Sequence, residues 1–242
     1  MIRSLRGQAV LLTLVLGLAT LLAGCGTPAA TMQPRIVITL LDVSGSTAAV
    51  RDNYLAEVKQ IVDNVPAGAR LVVLPVSSRS LTSPALLDIS FPENTWWKTN
   101  SFTYGREVKR LRQQAMETVS TPHNQDPGRN GTAIIDSLVQ VQEYLKPYAP
   151  GSGALYIISD MVEQSDLLDL YDLDGTAIQS ALAKVSKSGR MPALRGAAVD
   201  VAGLEASGHL PSDRVMAIRS FWEHLFQTAD ARLVRYSPAL RL

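Results

Sequence analysis

Residues 35–41 run through apolar and β-branched side chains with little interruption, Ile36, Val37, Ile38, Leu40 and Leu41 flanking a single Thr39. A strand with one wet face would alternate. A run with no polar face predicts a strand buried on both sides, as in the middle of a parallel sheet. From residue 47 to 65 the period changes to that of a helix, with Leu55, Val58, Ile61, Val62 and Val65 on one side and Pro66 and Gly68 as the stop. Residues 70–76 predict a second buried strand, and residues 85–91 a third, shorter one at an edge. A loop over 92–97 leads to a predicted helix over 104–119 with a strongly charged face. Residues 121–130, rich in Pro, Asn, Asp and Gly, read as loop again. A helix follows over 132–145, with Ile135, Leu138, Val139 and Val141 on its apolar side. Residues 154–158 predict a further buried strand, 176–188 a helix, 194–201 a strand, 212–228 a helix and 231–236 a last strand.

Strands alternating with helices at these intervals predict an α/β fold: a doubly wound, mostly parallel sheet flanked by helices on both faces, joined by right-handed crossovers. Residues 35–242 suffice for one domain with a sizeable core. No internal repeat or low-complexity segment interrupts them.

The first 24 residues have a different character. Arg3 and Arg6 precede a nearly uncharged apolar run over 9–22, shorter than the roughly 18–20 residues a stable span needs. Leu22, Ala23, Gly24 and Cys25 then match the lipobox of bacterial lipoproteins. Residues 1–24 are therefore expected to be a cleaved signal peptide, Cys25 the lipidated residue, and 25–34 a short lipidated tether. Cys25 is the only cysteine, so lipidation leaves no thiol for a disulfide or thiolate metal site. Cleavage removes two of the 23 basic residues and none of the 22 acidic ones, leaving a near-neutral chain. That balance carries no nucleic-acid footprint. The expected location is the bacterial cell envelope, with the membrane reached through the lipid. Gly26 rather than Asp after the cysteine favours the outer membrane, facing the periplasm, in a Gram-negative cell.

Three separated stretches carry the candidate chemistry: Asp42, Ser44 and Ser46; Gly131 and Thr132; Ser159 and Asp160. In an open α/β sheet, ligands bind beyond the carboxyl ends of the strands. Asp42 and Asp160 each follow a predicted buried strand, Gly45 lets the first turn bend tightly, and Thr132 opens a predicted helix. All should reach one edge. Hydroxyls and carboxylates without His or Cys form a hard-oxygen set, which suits Mg²⁺, Mn²⁺ or Ca²⁺ rather than zinc.

This trio, in this order, resembles the metal-ion-dependent adhesion site of the von Willebrand factor type A family. The resemblance covers most of residues 35–236. It implies Ser44, Ser46 and Thr132 as direct ligands, with Asp42 and Asp160 as water-bridged or alternate ligands. It implies Mg²⁺, with Mn²⁺ or Ca²⁺ as alternatives, and a protein partner that offers a carboxylate to the metal. It also implies a binding protein, not an enzyme. Two other readings stand beside it: a periplasmic metal-assisted hydrolase in which Asp42 and Asp160 hold the metal, and a structural lipoprotein that binds without metal.

Other residues suggest less. Glu163, Asp166, Asp169, Asp172 and Asp174 read as a solvated acidic rim with a cap for the next helix, because the 12-residue Ca²⁺ loop that Asp172 and Asp174 echo lacks its terminal Glu. His123, His209 and His224 have no metal-ligand spacing. Trp96 and Trp97 read equally as partner-contacting aromatics or as packing beneath the long segment before Thr132.

Overall fold

Every side chain of β1 (Ile36–Asp42) is buried. Ile36, Ile38 and Leu40 enter one apolar cluster, and Val37 and Leu41 enter another on the opposite face. This two-sided burial is why the segment shows no alternation. The computed structural model describes residues 33–95, 100–121, 131–204 and 210–242. Cys25, Trp96, Trp97, His123 and His209 lie outside them.

β1 pairs in parallel with β2 (Arg70–Val76) on one side and β4 (Gly153–Ile158) on the other. β3 (Leu87–Ser90) runs antiparallel to β2 at the edge. Beyond β4 come β5 (Ala198–Ala202) and β6 (Arg232–Tyr236), both parallel. The six-stranded order is β3-β2-β1-β4-β5-β6. Helices α1 (Arg51–Asp63) and α2 (Ser101–Ser120) supply the cluster on one face. On the other face pack α3 (Ile134–Leu145), α4 (Ile178–Lys187) and α5 (Ser212–Thr228), with Phe221, Trp222 and Phe226 fully buried. The predicted doubly wound, mostly parallel α/β sheet is the observed one.

Three of the boundaries that differ from expectation have a clear local form. The helix predicted from residue 47 starts as a 3₁₀ turn, Gly45–Val50, and becomes α-helical only at Arg51. β5 begins at Ala198 rather than 194, because Arg195 and Gly196 both adopt positive φ, 55° and 73°, which breaks extended pairing. α3 begins at Ile134, so Thr132 does not open it. Its backbone instead forms a two-bond bridge with Gln164. Among the described residues no helix is long and apolar enough to cross a membrane.

Candidate metal centre

The chain order of the strands reverses at β1: β2 and β3 lie to one side, β4 to β6 to the other. The carboxyl ends of β1 and β4 therefore flank the switch point, where an open α/β sheet leaves a crevice for ligands. Asp42 is the last residue of β1, and Ser159 and Asp160 directly follow β4. Leu41 stands opposite Ile158 in the register, which brings Asp42 alongside Ser159. The backbone is held beyond both strand ends, Val43 N–H bonding Val76 O at 3.2 Å and Ser159 N–H bonding Ala202 O at 3.0 Å.

Asp42 is 2% exposed, and its carboxylate is closely held. Ser44 N–H donates to its Oδ1 at 2.9 Å, and the Ser159 hydroxyl donates to its Oδ2 at 2.8 Å. The Ser44 side chain also hydrogen bonds to it. The Thr47 hydroxyl closes the turn by donating to Ser44 O at 3.0 Å and, more weakly, to Asp42 O at 3.3 Å. Gly45 does not supply the bend. Its φ is not positive and nothing lies within 4 Å of where a Cβ would stand, so the two side-chain-bonded turns shape this loop. Ser46 lies in the 3₁₀ turn, with its side chain outside the described part.

Asp160, 5% exposed, accepts from Val162 N–H at 3.0 Å. The next residue, Met161, is fully buried with φ 64°, a left-handed conformation that costs a non-glycine residue about 1–3 kcal/mol. Two bonds hold it there. Its N–H donates to Ser159 Oγ at 3.0 Å, and its carbonyl accepts from the Trp222 indole N–H at 2.8 Å. Trp222 thus has a polar task besides its packing, fixing the turn that presents Asp160.

Thr132 is 4% exposed and reaches this rim through its backbone. Its N–H donates to Gln164 O at 2.8 Å, and Gln164 N–H returns a bond to Thr132 O at 2.9 Å. Gly131 is needed for this approach, since a Cβ there would lie 3.0 Å from Gln164 O and 3.1 Å from Ser78 Cβ. Ala133 N–H bonds Ser77 O at 3.1 Å, so the loop is wedged between the ends of β2 and β4.

Glu163 corrects the expectation of a solvated rim. It is fully buried, and its Oε2 accepts from the N–H groups of Ile134 and Ile135 at 2.7 and 3.1 Å. Its neighbours fit the rim reading better. Asp166 is mostly exposed and pairs with Arg190 at 2.9 Å, and Asp174 accepts from Thr176 and Ala177 N–H ahead of α4.

Electrostatically the two carboxylates oppose each other. Burial, and secondarily the nearby Asp160 carboxylate, push Asp42 up to about 6 despite its hydrogen bonds. A divalent cation would relieve both penalties. Among the described residues no three His, Cys, Asp or Glu side chains gather as a metal-holding group, so hydroxyl and water oxygens would have to complete the shell. Asp42 also lines a cavity of about 70 Å³ with Arg51, Tyr54 and Val119. Two carboxylates amid hydroxyls fit a hard cation that keeps waters, such as Mg²⁺ or Mn²⁺.

No protein-family model matches the chain, and no curated protein does. Solved structures of similar fold include a von Willebrand factor type A protein from Catenulispora acidiphila, 14% identical over 81% of this chain, TM-score 0.40. The pilus adhesin SpaC from Lactobacillus rhamnosus GG is 13% identical over 87% of the chain, TM-score 0.45. The conserved hypothetical protein BatB from Bacteroides thetaiotaomicron is 14% identical over 84%, TM-score 0.43. This chain spans 43% of the first of these, 28% of the second and 91% of the third. The likeness is one of fold alone.

Proposed function

We propose that this chain is a lipid-anchored protein of the bacterial cell envelope that binds a protein partner through a divalent metal held at the switch point. The observation that supports it best is the meeting of Asp42 and Asp160, both buried, at the one crevice the strand order creates. Ser44, Ser46 and Thr132 would hold the ion directly, and Asp42 and Asp160 directly or through water. When bound, a Mg²⁺ ion whose ligands are largely neutral hydroxyls supplies an electrophilic position for a partner's carboxylate. The chain's own residues prepare that position: Ser159 and Ser44 orient Asp42, and the Met161 turn aims Asp160. This is a binding role, not turnover.

Calorimetry with Mn²⁺ on the chain from residue 26 onward should give one site. Capture of a partner from envelope extract should fail in chelator and return with Mg²⁺. Thermal unfolding in chelator should stay cooperative, because the apolar clusters on both sheet faces do not depend on the ion. No Mn²⁺ binding would end the metal reading, and capture that survives chelation would favour a metal-independent scaffold. Anchoring has its own test. A palmitate analogue should label the wild type and not Cys25→Ser, and equal labelling of both would sink the lipoprotein assignment.

A further inference from the structure

We propose that Glu163 is a positioning residue that ties the Thr132 loop to the Asp160 loop, so that the two halves of the candidate metal site are held as one unit. This rests on the proposed metal reading of the site. The cap position before helix α3 is Ala133, which has no side chain able to cap it. The first N–H groups of a helix need an acceptor, ordinarily from a Ser, Thr, Asp or Asn at the cap position. Here the acceptor comes from another loop. Glu163, three residues after Asp160, spans to Ile134 and Ile135, two and three residues after Thr132. The Thr132–Gln164 bridge adds two backbone bonds at the adjoining position. Site loops far apart in sequence are thereby joined by four hydrogen bonds within two consecutive residues of the Asp160 segment.

A purely local cap would have been cheaper. Glu163 is fully buried, and among the described residues its second oxygen, Oε1, has no hydrogen-bond partner. A serine at position 133 would satisfy the helix without placing a carboxyl in the interior. What the long-range cap adds is coupling: Thr132 cannot shift without dragging the segment that follows Asp160. Outer residues that orient metal ligands typically cost 10–100-fold in affinity when removed.

The test uses the full chain in detergent and Mn²⁺ as the probe. E163M keeps the length and shape of the side chain but accepts no hydrogen bond. E163Q keeps an acceptor for both N–H groups. The expected result is that E163M binds Mn²⁺ at least about tenfold more weakly, while E163Q stays near wild type. E163M with A133S, which gives α3 a local cap, should regain stability in chelator without regaining affinity. It also serves as the folded background should E163M alone not fold. Wild-type affinity in E163M, equal weakening in E163Q and E163M, or affinity restored by A133S would each overturn the coupling. A wild type that binds no Mn²⁺ would instead remove the proposed function, and this inference with it.

Discussion

Asp42→Ala should abolish Mn²⁺ binding and partner capture together and leave the fold nearly as stable in chelator as the wild type. The carboxylate contributes charge to the crevice and also organises it, receiving the Ser44 N–H and the Ser159 hydroxyl on its two oxygens. Its removal takes the acceptor from the Ser44 N–H and from the Ser159 hydroxyl in one step. A loss beyond the 10–100-fold seen for outer metal-site residues is therefore expected. In the metal-free protein the balance differs. The variant loses these hydrogen bonds, each worth about 0.5–1.5 kcal/mol net. It also sheds a carboxylate that burial and Asp160 together hold in an unfavourable setting. These effects oppose each other, so the unfolding midpoint should move little. Thr132→Ala should be milder in binding, because it deletes one neutral oxygen, while the backbone bridge to Gln164 survives. Calorimetry on both variants, with unfolding in chelator beside it, decides the matter. If Asp42→Ala binds as tightly as the wild type, the site assignment is wrong and the binding function falls with it.

What was legible in the sequence divides by contact range. β1, β2 and β4 announced themselves because two-sided burial leaves no polar alternation. Helix α5 was legible to both ends, Ser212 to Thr228, because its aromatic stripe repeats within the segment. The three site stretches were recognisable because each adjoins a strand end or a helix start, which places it at one edge. The residues that join them were not. Glu163 stands among Asp166, Asp169, Asp172 and Asp174, and its composition is that of a wet loop. Its partners lie 28 and 29 residues upstream, so only the folded chain shows that it turns inward. Trp222 reads as core because it is core, and its N–H bond to Met161 crosses 61 residues. A cap supplied from another loop also explains why the helix after Thr132 starts late. With the Thr132 backbone engaged by Gln164 and the first helical N–H groups by Glu163, no local residue marks the boundary.

In chelator, wild-type stability should fall as the pH rises from about 5 to about 8, and Glu163→Gln should lose much of that slope. Burial pushes Glu163 up to about 8, because desolvation outweighs the Ile135 and Ile134 amides that favour its charge; Asp136 adds a smaller push. The nearby cation is Arg190, which pairs with Asp136 and Asp166. In the unfolded chain the same group titrates near its ordinary 4.5. Between these values the folded state holds a proton that the unfolded state has released. Unfolding therefore releases a proton, and stability declines as pH rises. The contribution is full below the unfolded value and is lost as the pH passes through about 8. Each unit of difference corresponds to about 1.4 kcal/mol, so the effect is large against the 5–15 kcal/mol of an ordinary domain. Glutamine keeps an acceptor for Ile134 and Ile135, puts an amide nitrogen where Oε1 has no partner among the described residues, and cannot titrate. Asp42 shares the direction but acts mainly below about 6, so the window from there to about 8 isolates Glu163. Denaturant unfolding of both proteins across that window measures the difference. Parallel curves would mean that Glu163 takes up no proton on folding. A wild type that gains on Glu163→Gln as pH rises would mean that the buried carboxyl is ionised, with the α3 amides outweighing its burial.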